Sequence, residues 1–441
     1  MAISPAQQGL SKRNFILGLI NGSLFILFTT FIDPDTVLPG FVWQLTGGKP
    51  LLVGLLVSII STGWFWPSLF LSPLFATRER LMPWYRLSAA GRCVALLSLP
   101  LVAFSLDRFS PATGFLLVTL AYLGYSSFGG LSLIPFMTMI SETIPPNWRG
   151  RFFGARYLLG GLMALAAGPW VRYLLSDHSG FRFPSNYALL FLAGALVALP
   201  SMLSFCFAEE RQRVVQRRRI SVLLELQRGL RIVRRDRNFK RLIVTRCLSA
   251  FMLGLTLPFI VPYALSQLGV AASAVGLFVV CKVITYSLSN LLWSRVSDYS
   301  GNRRLLILSA FMSLVALVLV LVVHLLPATE LHLLGGHSVS LRVAFVGLIF
   351  ACFGFSNAGQ EIGYTNFLLE LIPERKRPTY LSVYYLFWLP LCWVPMLGAV
   401  LIGNHQRFML GFSIAMALCI ALVGYTFRLR EVREVEDALT Q

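Results

Sequence analysis

Residues 124–129 read GYSSFG, and residues 354–359 read GFSNAG. Each string is followed by a second match. Glu142-Thr143-Ile144-Pro145 answers Glu370-Leu371-Ile372-Pro373, and a basic residue comes after each, Arg149 and Arg377. Both pairs are about 230 residues apart, half of a 441-residue chain. One such match arises easily by chance in a biased apolar sequence. Two in the same order at the same offset do not, so the chain reads as two related halves with the same orientation.

Outward from these strings the sequence is apolar. It is 56% hydrophobic and 13% charged, with a mean hydropathy of +0.71, against roughly 25% charged residues in an ordinary soluble domain. Apolar runs long enough to cross ~30 Å of hydrocarbon are placed at 14–40, 50–74, 87–105, 112–141, 152–175, 186–207, 240–265, 274–295, 304–325, 342–370, 379–402 and 408–427. They show no period-2 alternation, which favours helices over barrel strands. The fold class expected is an all-α membrane protein of twelve transmembrane helices in two pseudo-symmetric six-helix bundles.

Charge sets the orientation. With the N-terminus inside, the inner segments hold Lys12/Arg13, Arg78/Arg80/Arg86, Arg149/Arg151, Arg295/Arg303/Arg304, Arg375/Lys376/Arg377 and Arg428/Arg430/Arg433. The outer loops keep Lys49, Arg108, Arg172, Arg182, Arg342 and Arg407. Both termini are therefore placed in the cytoplasm, in a plasma (inner) membrane. The domains expected are a first bundle over 1–208, a basic linker over 209–239, a second bundle over 240–427 and a tail over 428–441. Residues 211–241 carry twelve Lys/Arg against two acids, Glu225 and Asp236. Leu223, Leu226, Leu230 and Val233 recur there at helical spacing, which suggests an amphipathic helix on anionic lipid headgroups; a solvated linker is the alternative.

The formal net charge of +19 is spread over this segment and short loops without the aromatic interleaving of a single-strand binder, so no nucleic-acid partner is expected. The seven cysteines lie in apolar runs without a CxxC pair, and the five histidines fall on the outer side without ligand spacing. No metal, no cofactor and no enzyme chemistry is expected, and the absence of a GxxxxGK[ST] string argues against ATP-driven transport by this chain alone.

Six plus six spans, a long basic centre and the inner strings resemble the major facilitator superfamily. The loop Asp298-Tyr299-Ser300-Gly301-Asn302-Arg303-Arg304 is similar to that family's D-x-x-G-x-[RK]-[RK] motif, which there locks the outward-open state by ion pairing between helices. The resemblance thus makes Asp298, Gly301, Arg303 and Arg304, with Glu142, Arg149, Glu370 and Arg377, a conformational gate. The first-half loop, Thr77-Arg78-Glu79-Arg80, lacks the Asp and the Gly. Ala164-x-x-x-Gly168-Pro169 is similar to the Gly-Pro motif of the family's proton-coupled antiporters, with Arg172 where that motif has a glycine. The resemblance implies alternating access by a monomer, with a slight lean to export; uptake of a metabolite by the same fold remains open.

An ionisable residue inside a span costs ~2.5–3.5 kcal/mol on insertion scales, so such residues are functional candidates. Glu361 heads them, with Leu131 at its place in the first half and Asn357, Gln360 and Asn366 around it. It could take a proton from one side and release it to the other, or hold two helices together by pairing with a cation. Asp33 and Asp35 flank Pro34 near the outer end of the first span, as a second proton-coupling candidate or a plain helix end. Lys282 lies mid-span and needs a partner, either an anionic substrate or Glu361. Asn357, Gln360, Tyr286 and Trp388 complete the substrate-binding candidates; Trp64, Trp66 and Tyr385 could line a cavity or pack. Arg156 and Arg246 lie nearer the inner face, as gate or headgroup residues. The function expected is secondary transport of a small organic solute, coupled to protons, against a rival reading as a membrane scaffold or assembly protein that has lost transport.

Overall fold

Proline and side-chain caps set the ends of several helices. In the computed structural model, which describes residues 5–76, 78–210, 233, 236–327, 329–332, 338–372 and 377–431, α1 (Pro5–Phe31) stops before Asp33-Pro34 and the chain resumes as α2 (Val37–Leu45). Pro34 has no N–H to continue the ladder, which accounts for the break. Next come α3 (Pro50–Ala76), α4 (Met82–Phe104), α5 (Pro111–Thr143), α6 (Pro146–Leu174) and α7 (Ser185–Cys206). Ser110 caps α5, its hydroxyl accepting from the Thr113 N–H at 3.2 Å, with Pro111 in the first turn.

The second half runs through α8 (Arg237–Ser266), α9 (Val275–Ser300), α10 (Asn302–Val322), α11 (Leu341–Leu371), α12 (Arg377–Leu391), α13 (Val394–Ile402) and α14 (Phe408–Thr426). The Asp236 carboxylate caps α8, accepting from Asn238 N and Phe239 N at 3.0 Å and from the Tyr380 hydroxyl at 3.1 Å. A short antiparallel ribbon, β1 (Glu330–His332) with β2 (Ser338–Ser340), joins α10 to α11. The basic amphipathic stretch over 211–232 lies outside the described residues, apart from Val233 at its end.

Ten of the described helices are long and apolar enough to cross a membrane. α6 is equally long but carries Arg149, Arg151, Arg156 and Arg172. The eleventh span is broken at Cys392-Trp393 into α12 and α13. With these, each of the twelve expected spans has its helix.

The chain divides into two compact units. Unit 1 is residues 1–33, 44–46 and 58–221; unit 2 is residues 34–43, 47–57 and 222–441. Within unit 1, α1 packs on α6 and α7, and α4 on α5 and α7. Within unit 2, α8 packs on α12, α13 and α14, and α10 on α11 and α14. Each half therefore packs its first span on its fifth and sixth and its third on its fourth and sixth.

The paired glycines of the two strings have a physical reason. A Cβ at Gly129 would fall 2.7 Å from the Trp64 ring, and one at Gly359 2.9 Å from the Trp293 ring. In each half the closing glycine makes room for a tryptophan from the second span of that half. Trp293 cannot step aside, because its Nε1–H donates to the Phe355 carbonyl at 2.8 Å. Gly359→Leu should therefore lower stability by about 1–3 kcal/mol through overpacking, read as a lower melting temperature in detergent. Gly424→Leu, where nothing lies within 4 Å of the new Cβ, should leave it unchanged; equal melting temperatures for the two variants would refute the packing account.

Candidate functional site

In unit 2, α9 and α11 run side by side and approach almost to backbone contact where Gly354 lies against the Lys282 carbonyl. Five polar groups collect along this seam. Lys282 and Tyr286 are one turn apart on α9 and share a face. Lys282 Nζ forms an ion pair with Asp35 Oδ2 at 2.5 Å, the two side chains being 13% and 21% exposed. The Tyr286 hydroxyl donates to Glu361 Oε2 on α11. Asn357, one turn before Glu361 on the same face, has a buried Oδ1 without a hydrogen-bond partner.

Lys282 thus has its acidic partner, and that partner is Asp35 instead of Glu361. Glu361 is exposed although it sits ten residues from the C-terminal end of a spanning helix. A carboxyl exposed on a spanning helix costs least where it meets water, since hydrocarbon holds charge poorly. The seam thus sets a carboxylate beside a phenol donor and an amide oxygen that has no donor of its own.

The remaining candidates go elsewhere. Gln360, next to Glu361, is 2% exposed and turned into the helix packing. Its Oε1 accepts from Ser249, and its Nε2 donates to Ser313 and Ser356 at 3.0 Å. This network ties α8, α10 and α11 together. Asn366 donates to Ser297 at 3.0 Å, bracing α9 against α11. Asp33 is buried and belongs to unit 1, whereas Asp35 belongs to unit 2. Trp388 lies under the Arg246 guanidinium, 4.3 Å from it, with Tyr364 at 4.6 Å. Trp64 packs on Gly129, and Trp66 is exposed with its Nε1–H donating to Ser127 at 3.0 Å. The side chain of Tyr385 lies outside the described residues.

The loop residues show two versions of one device. Gly301 has φ +85°, and the Glu431 carboxylate occupies the space a Cβ would need; only glycine fits there without strain. Arg303 donates to the Phe427 carbonyl at 2.9 Å, while Arg304 and Asp298 are exposed. In the first half the motif is missing and a glutamate after the sixth span takes over directly. Glu210 accepts from the N–H groups of Leu81 and Met82, the latter at 2.9 Å, and so caps α4. Arg149 donates to the Ile144 and Ser141 carbonyls at 3.1 and 2.5 Å, closing the end of α5. Glu142 is half-buried, Glu370 is exposed at the end of α11, and the Arg377 side chain lies outside the described residues.

One buried cation escaped the sequence reading. Arg92 is 4% exposed in the middle of α4, ringed by Phe25, Trp64 and Tyr125. A span beginning at residue 87 puts Arg92 close to its start; the helix begins at Met82, which carries it ten residues in.

The model of the Major Facilitator Superfamily matches residues 15–388 and 242–440 of the chain. A comparison with curated protein sequences finds no match. Among solved structures, a bacterial homologue of the iron transporter ferroportin in its inward-facing state is similar, with a TM-score of 0.68 at 13% identity over 96% of this chain and 98% of that one. A D-xylose–proton symporter gives a TM-score of 0.66 at 14% identity over 95% and 98%. The nucleoside transporter NupG gives 0.65 at 14% identity over 95% and 99%. At such identities the likeness is one of fold.

Proposed function

The chain belongs to the major facilitator superfamily and is an integral membrane protein with the fold of that family's transporters, and from this premise we propose that it is a proton-coupled secondary transporter of a small organic solute. The observation that carries this reading is the Tyr286–Glu361 hydrogen bond beside the Asp35–Lys282 ion pair. A protein that had kept the fold only as a scaffold would have little use for three charged side chains along one seam, each costly in a membrane.

In the deprotonated state the Tyr286 O–H holds the Glu361 carboxylate. Protonation gives Glu361 a donor of its own, and Asn357 Oδ1 lacks one, so the carboxyl has a second place to go. That exchange of partners links proton binding to the position of α11 against α9. Asp35–Lys282 keeps the neighbouring turn neutral as a pair. Solute moves by alternating access, with export as the direction, on the partial Gly168-Pro169 string. The termini are read as cytoplasmic and the working unit as a monomer.

Proteoliposomes with an imposed pH gradient should accumulate one class within a panel of labelled metabolites and drugs. The accumulation should collapse with a protonophore. Flux of no member of a broad panel, or flux indifferent to the protonophore, would overturn the proposal.

A further inference from the structure

Unit 1 contains two arginines that no acidic group among the described residues neutralises. Arg92 is buried in α4 and cannot shed its proton. Of its five N–H donors one hydrogen bond is made, Nη2 to the Tyr125 hydroxyl at 3.3 Å, and its buried Nε has no partner. Its guanidinium carbon lies 4.9, 5.2 and 5.4 Å from the ring centres of Tyr125, Phe25 and Trp64. Ring faces attract the cation, but they leave the N–H groups at its edge unsatisfied.

Arg156 on α6 repeats the arrangement, half-buried, 4.8 and 5.2 Å from the rings of Phe136 and Phe152. Gly22 of α1 makes room for it, since a Cβ there would collide with its Nε. Phe25, one turn on, is the ring beneath Arg92, and Asn21 beside Gly22 donates to the Tyr85 hydroxyl at 3.3 Å. Both guanidinium groups therefore press on the same turn of α1. Among the described residues neither has an acidic partner, in contrast to Arg13, which pairs with Glu209, and Lys282, which pairs with Asp35.

A helix brace would not need charge, and a surface pair would be hydrated. Two unanswered cations beside one turn, held by aromatic walls, suit an anion that comes and goes. We infer that unit 1 holds an anion-binding site, with Arg92 at its base and Arg156 on its half-exposed side, for the carboxylate or phosphate of an organic solute whose apolar part lies on the rings. The inference rests on the transport reading and names the substrate class.

The test is binding, without transport. Protein in phosphatidylcholine nanodiscs is titrated by calorimetry with benzoate, with phenyl phosphate and with benzyl alcohol as the neutral control. A parallel sample in phosphatidylglycerol nanodiscs receives no soluble anion and is followed by thermal unfolding. Saturable binding of at least one anion and none of the alcohol is expected, weakened about tenfold or more in Arg92→Gln, as for loss of a charge-assisted contact. Arg156→Gln, at a half-exposed position, should weaken it also and guards against a misfolded Arg92 variant. Binding of neither anion, equal binding of the alcohol, retention of affinity in both variants, or stabilisation by the anionic lipid alone would overturn the inference. Anion binding without solute flux would keep this site and remove the transport reading; flux of an uncharged solute with no anion binding would do the reverse.

Discussion

Glu361→Gln should abolish solute accumulation driven by a pH gradient while solute exchange across the membrane continues. Glutamine keeps the shape and still accepts from the Tyr286 hydroxyl, so the seam between α9 and α11 should stay closed. It cannot take up or release a proton. Gradient-driven flux should therefore fall to the level seen without a gradient, with equilibrium exchange little altered. Tyr286→Phe should give a milder version, because the carboxyl remains and only its holding donor is gone. Driven transport at the wild-type rate in Glu361→Gln would take Glu361 out of the mechanism.

Lys282→Met should be strongly destabilising, and Lys282→Met with Asp35→Asn much less so. The pair is 2.5 Å long and mostly buried. Removing one member strands the other in a medium that solvates charge poorly, at about 3–5 kcal/mol for a fully buried pair; partial exposure brings the expectation to about 2 kcal/mol. Replacing both removes the stranded charge, and the two methods of counting, single loss and paired loss, separate pairing from packing. The readout is the melting temperature of purified protein in nanodiscs. A double variant no more stable than Lys282→Met would show that Asp35 is not the charge Lys282 answers.

Much of this architecture was legible in residues. GYSSFG and GFSNAG marked the halves, and in the fold their closing glycines receive Trp64 and Trp293 in the same way. Span number and helical class followed from apolar length and charge. Helix starts were less legible: α4, α6 and α8 begin at Met82, Pro146 and Arg237, ahead of their apolar runs, because polar caps such as Glu210 and Asp236 extend a helix beyond its hydrophobic part. That extension is what concealed Arg92.

Facing was harder still. Gln360 and Glu361 are adjacent and equally polar in sequence, yet about 100° apart around the helix, so one locks three helices and the other meets Tyr286. Asp33 and Asp35 are two residues apart, yet the break at Pro34 assigns them to different units. The partner of Lys282 lies 247 residues away, and no local pattern announces it.

The central claim is that solute movement carries protons through Glu361. The direct measurement is the internal pH of wild-type proteoliposomes, followed with a trapped dye while a transported solute is added on one side with no imposed gradient. The account predicts a solute-dependent pH change that is saturable and absent from Glu361→Gln vesicles. Solute flux with constant internal pH would contradict it.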